Sequence, residues 1–285
     1  MKNSDKIYQL YDKTYKKLFS HKRIVEDFLR GFVKEPFTQK MELIEPVFTE
    51  FTTRSYKSYY GDVIWKAKFK GKECFVFIIF EFLSKDDEKL VLRVLNYVVQ
   101  FYLKLIKNEK YQLPLPPVFP VVIYTGEKSF SGKQNIRDII GTEEKSLDKY
   151  IPDFKFFLLD INCIPKSQLL RLMIHSKNMA SLLFDVEKMD EERLSEEINK
   201  IGEILRKYAD PELIKDFQDI LLSTTSKENK ELIEIIKTID QGDNMTFGEK
   251  VKRWEEKKRM EGEIKGEIKG KLEVAKNLLK DKADL

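Results

Sequence analysis

Two acidic residues in neighbouring predicted strands, Asp62 and Glu81, are the residue types that can hold a divalent metal ion. Asp62 stands near the start of the run GDVIWKAKFK, and Glu81 stands near the end of the apolar run CFVFIIFEFLS. Gly71 lies between the runs and suits a tight hairpin turn, so the two strands should lie side by side. Because Mg²⁺ is commonly bound by one or two carboxylates, the pair could hold a magnesium ion.

Glu81 needs a partner because it interrupts a strand that is otherwise apolar. Burial of an unpaired carboxylate is costly, so a cation, a metal ion or a hydrogen-bond donor should lie beside it. A structural explanation is also open: Asp62 could cap a turn after Gly61, and Glu81 could pair with Arg93 or a lysine.

The strand with Asp62 has two distinct faces, because side chains alternate along a strand. One face carries Val63, Trp65, Ala67 and Phe69, and the other carries Asp62, Ile64, Lys66 and Lys68. The Glu81 strand is apolar on both faces, which predicts a central strand.

The elements around these strands predict an α/β fold. Two short helices between residues 5 and 33, broken near Ser20 and His21, lead through a bridging segment with Pro36 and Pro46 to a predicted strand near Phe48–Thr53. An amphipathic helix follows Ser84, with a buried stripe that runs from Leu90 to Leu105. Two more strands are predicted, at Val118–Tyr124 and Phe154–Ile161.

From about residue 166 the pattern is helical. We expect helices at Leu169–Leu183, Glu191–Tyr208, Pro211–Leu222 and Asn229–Ile239. The predicted organisation is a core at residues 1–165, a helical region at 166–245 and a charged helix at 246–285.

The last block carries the repeat GEIKGEIKGKLE, with a narrow apolar strip at Ile264, Ile268 and Leu272 beside a strip of glycines. Such a helix can approach a second copy closely, so we expect a homo-oligomer formed through the C-terminal helices. A solvated tail is the alternative.

Composition restricts the class of protein only loosely. The 52 basic and 48 acidic residues give a net charge of +4, which neither requires nor excludes nucleic acid. Cys74 and Cys163 are isolated, and the N-terminal sequence MKNSDKIYQL has no apolar signal core. The longest apolar run is far shorter than the ~20 residues of a membrane span. We therefore expect a reduced cytoplasmic protein that makes no contact with membranes.

The order of the motifs resembles that of the Rpn family, the recombination-promoting nucleases also described as YhgA-like transposases, within the PD-(D/E)XK nuclease superfamily. The resemblance rests on five stretches: YDKTYKKLF at 11–19, DVIWK at 62–66, EFLS at 81–84, LRVLNY at 92–97 and PPVFPVVIYTG at 116–126. The charged glycine repeat near the C-terminus is also similar to the tail of this family.

The resemblance implies a restriction-endonuclease-like core, a mixed central sheet flanked by helices, followed by an all-helical C-terminal region. It also implies a DNA endonuclease that depends on Mg²⁺, with Mn²⁺ as a possible substitute. Asp62 and Glu81 would hold the metal ion, and the backbone carbonyl of Phe82 could add a further oxygen ligand.

The chain departs from the family pattern at Leu83, where the family has glutamine in Glu-x-Gln-Ser. Leucine cannot orient a water molecule by hydrogen bonding. Lys85 shares a strand face with Glu81 and is the first candidate to replace the glutamine. Lys66, Lys68 and Gln100 are others. Loss of activity with retention of the fold is the alternative.

Four further residues match the family and are candidate site residues. Arg93 and Tyr97 lie four apart on one helix face and could contact the scissile phosphate or the metal carboxylates. Arg93 could equally be a structural partner of Glu81. Asp12 and Lys16 share a face of the opening helix, where they could line the catalytic cleft or form a surface ion pair.

Three functions are therefore open. The leading one is a DNA endonuclease in recombination or in the biology of mobile elements. The second is a DNA-binding or regulatory relative that lost catalysis with Leu83. The third is a helical interaction scaffold in which Asp62 and Glu81 are structural.

Overall fold

The computed structural model describes residues 13–47, 62–81, 88–107, 111–126, 128–141 and 143–241. At Asp62, Phe77 and residues 79–81 it describes the backbone without the side chain. These parts of the chain form a mixed five-stranded sheet with helices on both faces, which confirms the predicted α/β class.

The sheet contains its strands in sequence order, from β1 at one edge to β5 at the other. The strands are β1 (Met41–Val47), β2 (Asp62–Phe69), β3 (Lys72–Glu81), β4 (Val118–Tyr124) and β5 (Phe157–Asp160). The pairs β1–β2 and β2–β3 are antiparallel, whereas β3–β4 and β4–β5 are parallel. The apolar strand β3 is therefore central, as its sequence predicts.

The hairpin between β2 and β3 is a two-residue turn. Phe69 pairs with Lys72, and the turn residues Lys70 and Gly71 have φ angles of 51° and 77°. Positive φ at both positions is the geometry of a type I′ turn, which a glycine adopts without strain. The predicted hairpin is thus confirmed.

Strand β1 was not predicted, because Pro36 and Pro46 indicate a bridging segment. Pro46 lies within β1 and pairs with Trp65. An edge strand tolerates proline because one side of its backbone makes no ladder hydrogen bonds. The strand predicted at Phe48–Thr53 lies outside the described residues.

Eight helices are present in the described part of the chain. They are α1 (13–20), α2 (Lys22–Phe32), α3 (Leu90–Lys107), α4 (Lys166–Ser176), α5 (Met179–Glu187), α6 (Glu191–Tyr208), α7 (Pro211–Thr224) and α8 (Lys230–Lys237). The break at Ser20 and His21 is confirmed.

The single helix predicted at Leu169–Leu183 is wrong, because two helices occupy that region. Lys177 adopts φ 51° at the end of α4, and the Asn178 side chain accepts a hydrogen bond of 2.7 Å from the backbone N–H of Ser181. A left-handed residue followed by an N-cap ends one helix and starts the next.

Two apolar clusters lie on the two faces of the sheet. Val63, Trp65 and Ala67 of β2 belong to the larger cluster, which also contains buried residues of α1, α2 and α4–α8. Trp65 Nε1 fixes α1 there by donating a hydrogen bond of 2.8 Å to the carbonyl of Phe19. Ile64 belongs to the smaller cluster with α3. The predicted faces of β2 are therefore confirmed.

No helix in the described ranges is both long enough and apolar enough to cross a membrane. Cys74 is buried and Cys163 is exposed, and neither forms a disulfide. The predicted oligomerisation helix at 246–285 lies outside the described residues.

Candidate active site

Asp62 and Glu81 are diagonal neighbours in the β2–β3 ladder. Asp62, the first residue of β2, pairs with Ile79, and Glu81 ends β3 two residues further on. Such diagonal positions lie about 7–8 Å apart and share one face of the sheet. Since Mg²⁺ binds carboxylate oxygens at about 2.1 Å, this spacing fits two carboxylates on one ion.

This face is the one that α3 covers. Ile64, Phe75 and Val122 form an apolar cluster with the inner side of α3. Asp62 lies two residues from Ile64, and Glu81 lies six residues from Phe75, so alternation along each strand places both positions on the α3 face. Both also lie at the end of the sheet where β3 stops.

The direction of α3 determines which of its residues lie near that end. The ring of Phe75, near the start of β3, packs edge to face on Phe101 in the second half of α3, with centroids 4.9 Å apart. The first half of α3 therefore lies toward the end of β3. Arg93 and Tyr97 belong to this first half.

Arg93 and Tyr97 are both partly buried. The Nε and Nη2 atoms of Arg93 have almost no contact with solvent. Tyr97 packs against the apolar cluster under α3. A buried guanidinium at this end of the face is a fixed positive charge suited to carboxylates or phosphate. The fold thus brings the positions of Asp62, Glu81, Arg93 and Tyr97 to one end of one face.

Tyr124 is a site neighbour that sequence reasoning missed. It ends β4, pairs in register with Glu81 and is only 1% exposed. Its ring packs on Phe130 with centroids 5.2 Å apart. The signal in the sequence was a single tyrosine at the end of an apolar strand, which is equally typical of a core residue.

Asp160 is the next residue across the sheet after Glu81 and Tyr124, because it pairs with Tyr124 in the β4–β5 ladder. Its Oδ2 accepts a hydrogen bond of 2.8 Å from the backbone N–H of Phe130, and its Oδ1 accepts one of 2.9 Å from that of Asn162. Asn162 Nδ2 in turn donates to the carbonyl of Gly126 at 2.5 Å. Asp160 therefore holds the loop that packs against Tyr124.

The alternative lysines on the β2 face lie at its other end. Lys66 Nζ is 2.7 Å from Glu73 Oε1, and this hydrogen bond raises the pKa of Lys66 above its usual value. Lys66 lies four positions along the strand from Asp62, so their Cα atoms are about 13 Å apart. Lys68 is further away, opposite Glu73. Neither lysine lies near the Asp62 position.

Gln100, the other substitute considered, lies seven residues beyond Arg93 on α3, about 10 Å further along the helix. The cluster under α3 continues in that direction toward the start of β3.

Several candidate residues cannot be placed by their side chains. Asp12, Phe82, Leu83 and Lys85 lie outside the described residues, and the side chains of Asp62 and Glu81 are not described either. No group of three possible metal ligands occurs among the side chains that are described. The magnesium site stays a prediction.

Lys16 is on α1, whose buried residues Tyr15, Leu18 and Phe19 belong to the cluster on the opposite face from α3. The helix therefore does not share the α3 face with Arg93 and Tyr97. A role for Lys16 in the cleft stays a prediction.

A cleft of about 800 Å³ opens at the start of α3. Its lining mixes positive, negative and polar side chains: Glu88, Lys89, Ser131, Gly132, Lys133, Asp138 and Ile139. Since the start of α3 lies toward the end of β3, the cleft lies at the same end of the molecule as the Asp62 and Glu81 positions.

Glu187 is a second unusual carboxyl group, at the end of α5. Burial raises its pKa from 4.5 to about 7, although the Tyr15 hydroxyl donates a hydrogen bond of 2.8 Å to its Oε2 and lowers the pKa somewhat. Tyr15 and α5 belong to the cluster opposite α3. Glu187 therefore affects stability rather than the candidate site.

The chain matches a known protein family. The model of the family described as "Putative transposase, YhgA-like" matches residues 9–215, which is more than half of the chain. No solved structure shows a significant match.

Three curated relatives are similar at low identity. The inactive recombination-promoting nuclease-like protein RpnE of Escherichia coli K12 is 23% identical over 166 residues, 56% of this chain and 54% of the relative. The recombination-promoting nuclease RpnD of Escherichia coli O157:H7 is 21% identical over 121 residues, which are 42% of this chain and 46% of the relative. The recombination-promoting nuclease RpnC of Escherichia coli K12 is 24% identical over 119 residues, which are 41% of this chain and 39% of the relative. The matches thus span about half, or less, of each relative.

Proposed function

Because the chain belongs to the YhgA-like transposase family, we propose that it is a metal-dependent nuclease that hydrolyses phosphodiester bonds in DNA. The names of two relatives, both recombination-promoting nucleases, support the reaction class. The observation that carries the proposal is the register of β2 and β3, which makes Asp62 and Glu81 diagonal neighbours at one end of the α3 face.

The fold proposal is a PD-(D/E)XK core. The order of helices α1 and α2, three antiparallel strands, helix α3 and then a parallel strand supports it. This order puts one acidic position of β2 and one of β3 at the same end of the sheet, as binding of one metal ion by two carboxylates requires.

In this proposal Asp62 and Glu81 hold Mg²⁺ or Mn²⁺, and the Phe82 carbonyl contributes a further oxygen. The metal ion, when bound, polarises the scissile phosphate and activates a water molecule. Arg93 binds a phosphate oxygen from the α3 side, and its charge also offsets the two acidic groups. Tyr97 packs beside it and orients the guanidinium.

The remaining candidates have supporting roles. Lys85 orients the attacking water in place of the usual glutamine, whereas α1, which carries Lys16, packs on the sheet face opposite α3 and has no role in the cleft in this proposal. Lys89 and Lys133, which line the cleft at the start of α3, contact the phosphates of the DNA strand that flank the cut.

A second candidate function is DNA binding without cleavage. Two observations favour it: Leu83 stands where the family has glutamine, and one relative carries the name of an inactive nuclease-like protein. Such a protein would keep the cleft with Lys89 and Lys133 and lose the positioned water.

A plasmid assay separates these functions. The full chain is incubated with supercoiled plasmid in Mg²⁺, Mn²⁺ or EDTA, and binding to a labelled duplex is measured at increasing salt. Nicking with either metal ion and none in EDTA supports the nuclease. Binding that weakens with salt, without nicking, supports the second candidate. Absence of both contradicts the proposal.

The homo-oligomer formed through residues 246–285 and the cytoplasmic location stay predictions. The apolar strip of Ile264, Ile268 and Leu272 supports the first.

A further inference from the structure

Exposed apolar side chains are concentrated on one side of the described structure. Among the described residues, nine large apolar side chains are more than a third exposed. Seven of them lie in the segment between β3 and β5: Leu92, Val99, Leu103, Ile106, Leu113, Leu147 and Tyr150. This segment forms the layer that contains α3. The other two are Ile44 in β1 and Ile174 in α4.

Four of the seven form a seam along the outer side of α3. Leu92, Val99 and Ile106 are spaced by seven residues and are 45%, 42% and 55% exposed, and Leu103 is 48% exposed. Leu95 and Tyr102, three residues after Leu92 and Val99, border the seam and are partly buried. Apolar residues at heptad spacing are the pattern of a helix that packs along a second helix.

The inner side of α3 already packs on the sheet through six other residues: Leu90, Val91, Val94, Val98, Phe101 and Leu105. The helix is therefore apolar on two sides. A helix of this kind is normally covered on both sides, and a row of exposed apolar residues along a helix is typical of an interaction surface.

We propose that the seam, in place of residues 246–285, is the homodimer interface, and that α3 packs there antiparallel on α3 of a second copy. Val99 lies seven residues from both Leu92 and Ile106, so a two-fold axis at Val99 places Leu92 against Ile106 of the partner. The same axis places Leu103 against Leu95 of the partner. The seam is thus complementary to itself, which a closed two-fold interface requires.

Charges at the ends of the seam select a second copy in the antiparallel orientation. Glu88, one turn before Leu92, is exposed, and Lys107, one turn after Leu103, is exposed as well. Helix α3 has Lys104 and Lys107 in its last turn and contains no acidic residue. Antiparallel packing places Glu88 beside Lys107 of the partner, whereas parallel packing places lysines beside lysines.

The dimer also has a consequence for the cleft at the start of α3. Glu88 and Lys89 line that cleft, so Lys107 of the partner lies at its rim. The proposal does not depend on nuclease activity.

The test uses the full chain, with mass in solution as the readout. Val99→Glu and Ile106→Glu introduce charge on exposed seam positions, and Ile174→Glu is the matched control, because Ile174 is 62% exposed on α4. We expect twice the mass of one chain for the wild type and for Ile174→Glu, and the mass of one chain for the two seam variants. Circular dichroism checks that all variants are folded.

Two outcomes overturn the proposal. One is a wild-type chain that is monomeric at every concentration, as when the seam is covered by the chain's own C-terminal segment. The other is an oligomer that persists in both seam variants, as when residues 246–285 hold the copies together.

Disulfide trapping tests the orientation. In a Cys163→Ser background, Leu92→Cys and Ile106→Cys chains are oxidised separately and as a mixture, since Cα atoms must lie within about 7 Å to form a disulfide. We expect a disulfide-linked dimer only in the mixture, between one chain of each kind. Efficient linking of Leu92→Cys to itself contradicts the antiparallel seam.

Discussion

Glu81 and Tyr124 are ladder partners at the last positions of β3 and β4. The parallel register places them side by side on the face that α3 covers, at the end where the Asp62 position also lies. Tyr124 is buried and its ring rests on Phe130, which Asp160 holds by its backbone. The position of Glu81 in the central strand therefore has a buried tyrosine as its neighbour in β4.

Replacement of Tyr124 with phenylalanine removes its hydroxyl and keeps the ring contact with Phe130. We propose that the Tyr124 hydroxyl donates a hydrogen bond to the carboxylate at position 81, its ladder partner. Because a hydrogen bond to a charged group contributes about 1.5–3 kcal/mol, we expect nicking to fall roughly tenfold or more while the melting temperature changes little. Tyr102→Phe is the matched control, because the Tyr102 hydroxyl forms a hydrogen bond with the backbone of Val118 at the other end of β4. Equal nicking rates in both variants would make Tyr124 a packing residue only.

Restoration of glutamine at position 83 tests the departure from the family pattern. We expect Leu83→Gln to increase the nicking rate roughly tenfold, because a hydrogen bond that orients the attacking water contributes about 1–1.5 kcal/mol, and about 1.4 kcal/mol is tenfold in rate. Leu83→Met, which keeps the apolar character and the approximate size, should leave the rate unchanged. A glutamine variant no faster than the methionine variant would show that Leu83 is not the defect.

Glu187 should make stability depend on pH. Its pKa is about 7 in the folded chain and 4.5 as the ordinary value, so the native state binds more protons than the unfolded state between these values. The free energy of unfolding therefore falls as pH rises from about 4.5 to 7 and is level above that range. Glu187→Gln should remove this loss. At pH 8 its free energy of unfolding should exceed that of the wild type by on the order of 3 kcal/mol.

Urea unfolding at pH 5 and pH 8 measures this effect, with exposed Glu196→Gln as the control. Tyr15→Phe should raise the pKa of Glu187 further, because it removes the hydrogen bond that favours the charged form. A wild-type stability that is equal to that of Glu187→Gln at both pH values would show that Glu187 is charged without penalty.

Local sequence signals predicted the parts of the fold that have strong patterns of their own. The turn at Gly71, the alternation along β2 and the apolar run of β3 led to the correct hairpin, and Asp190 and Asp210 cap helices at the predicted starts. Strand β1 was missed because Pro46 argues against a strand, and only its place at the edge of the sheet makes the proline acceptable.

The candidate site was predictable only as far as single residues carry a chemical signal. Asp62, Glu81 and Arg93 are recognisable because charges are costly to bury. The register between β3 and β4 is set by long-range packing, so the pairing of Glu81 with Tyr124 and the anchoring of Phe130 by Asp160 left no trace in the local pattern. The outer seam of α3 was also missed, because only the buried stripe from Leu90 to Leu105 was predicted and Leu92, Val99, Leu103 and Ile106 were given no role.

The central claim is that Asp62 and Glu81 form the metal-dependent catalytic pair. It is tested most directly by the rate of plasmid nicking in Mg²⁺ for Asp62→Asn and Glu81→Gln beside Glu73→Gln, an acidic residue on the same face of β3 at its opposite end. We expect both site variants to lose nicking by roughly 10²-fold or more, because each loses a charge that stabilises the transition state. All three variants should fold like the wild type, and Glu73→Gln should cleave normally. Nicking that persists unchanged in the two site variants would contradict the account.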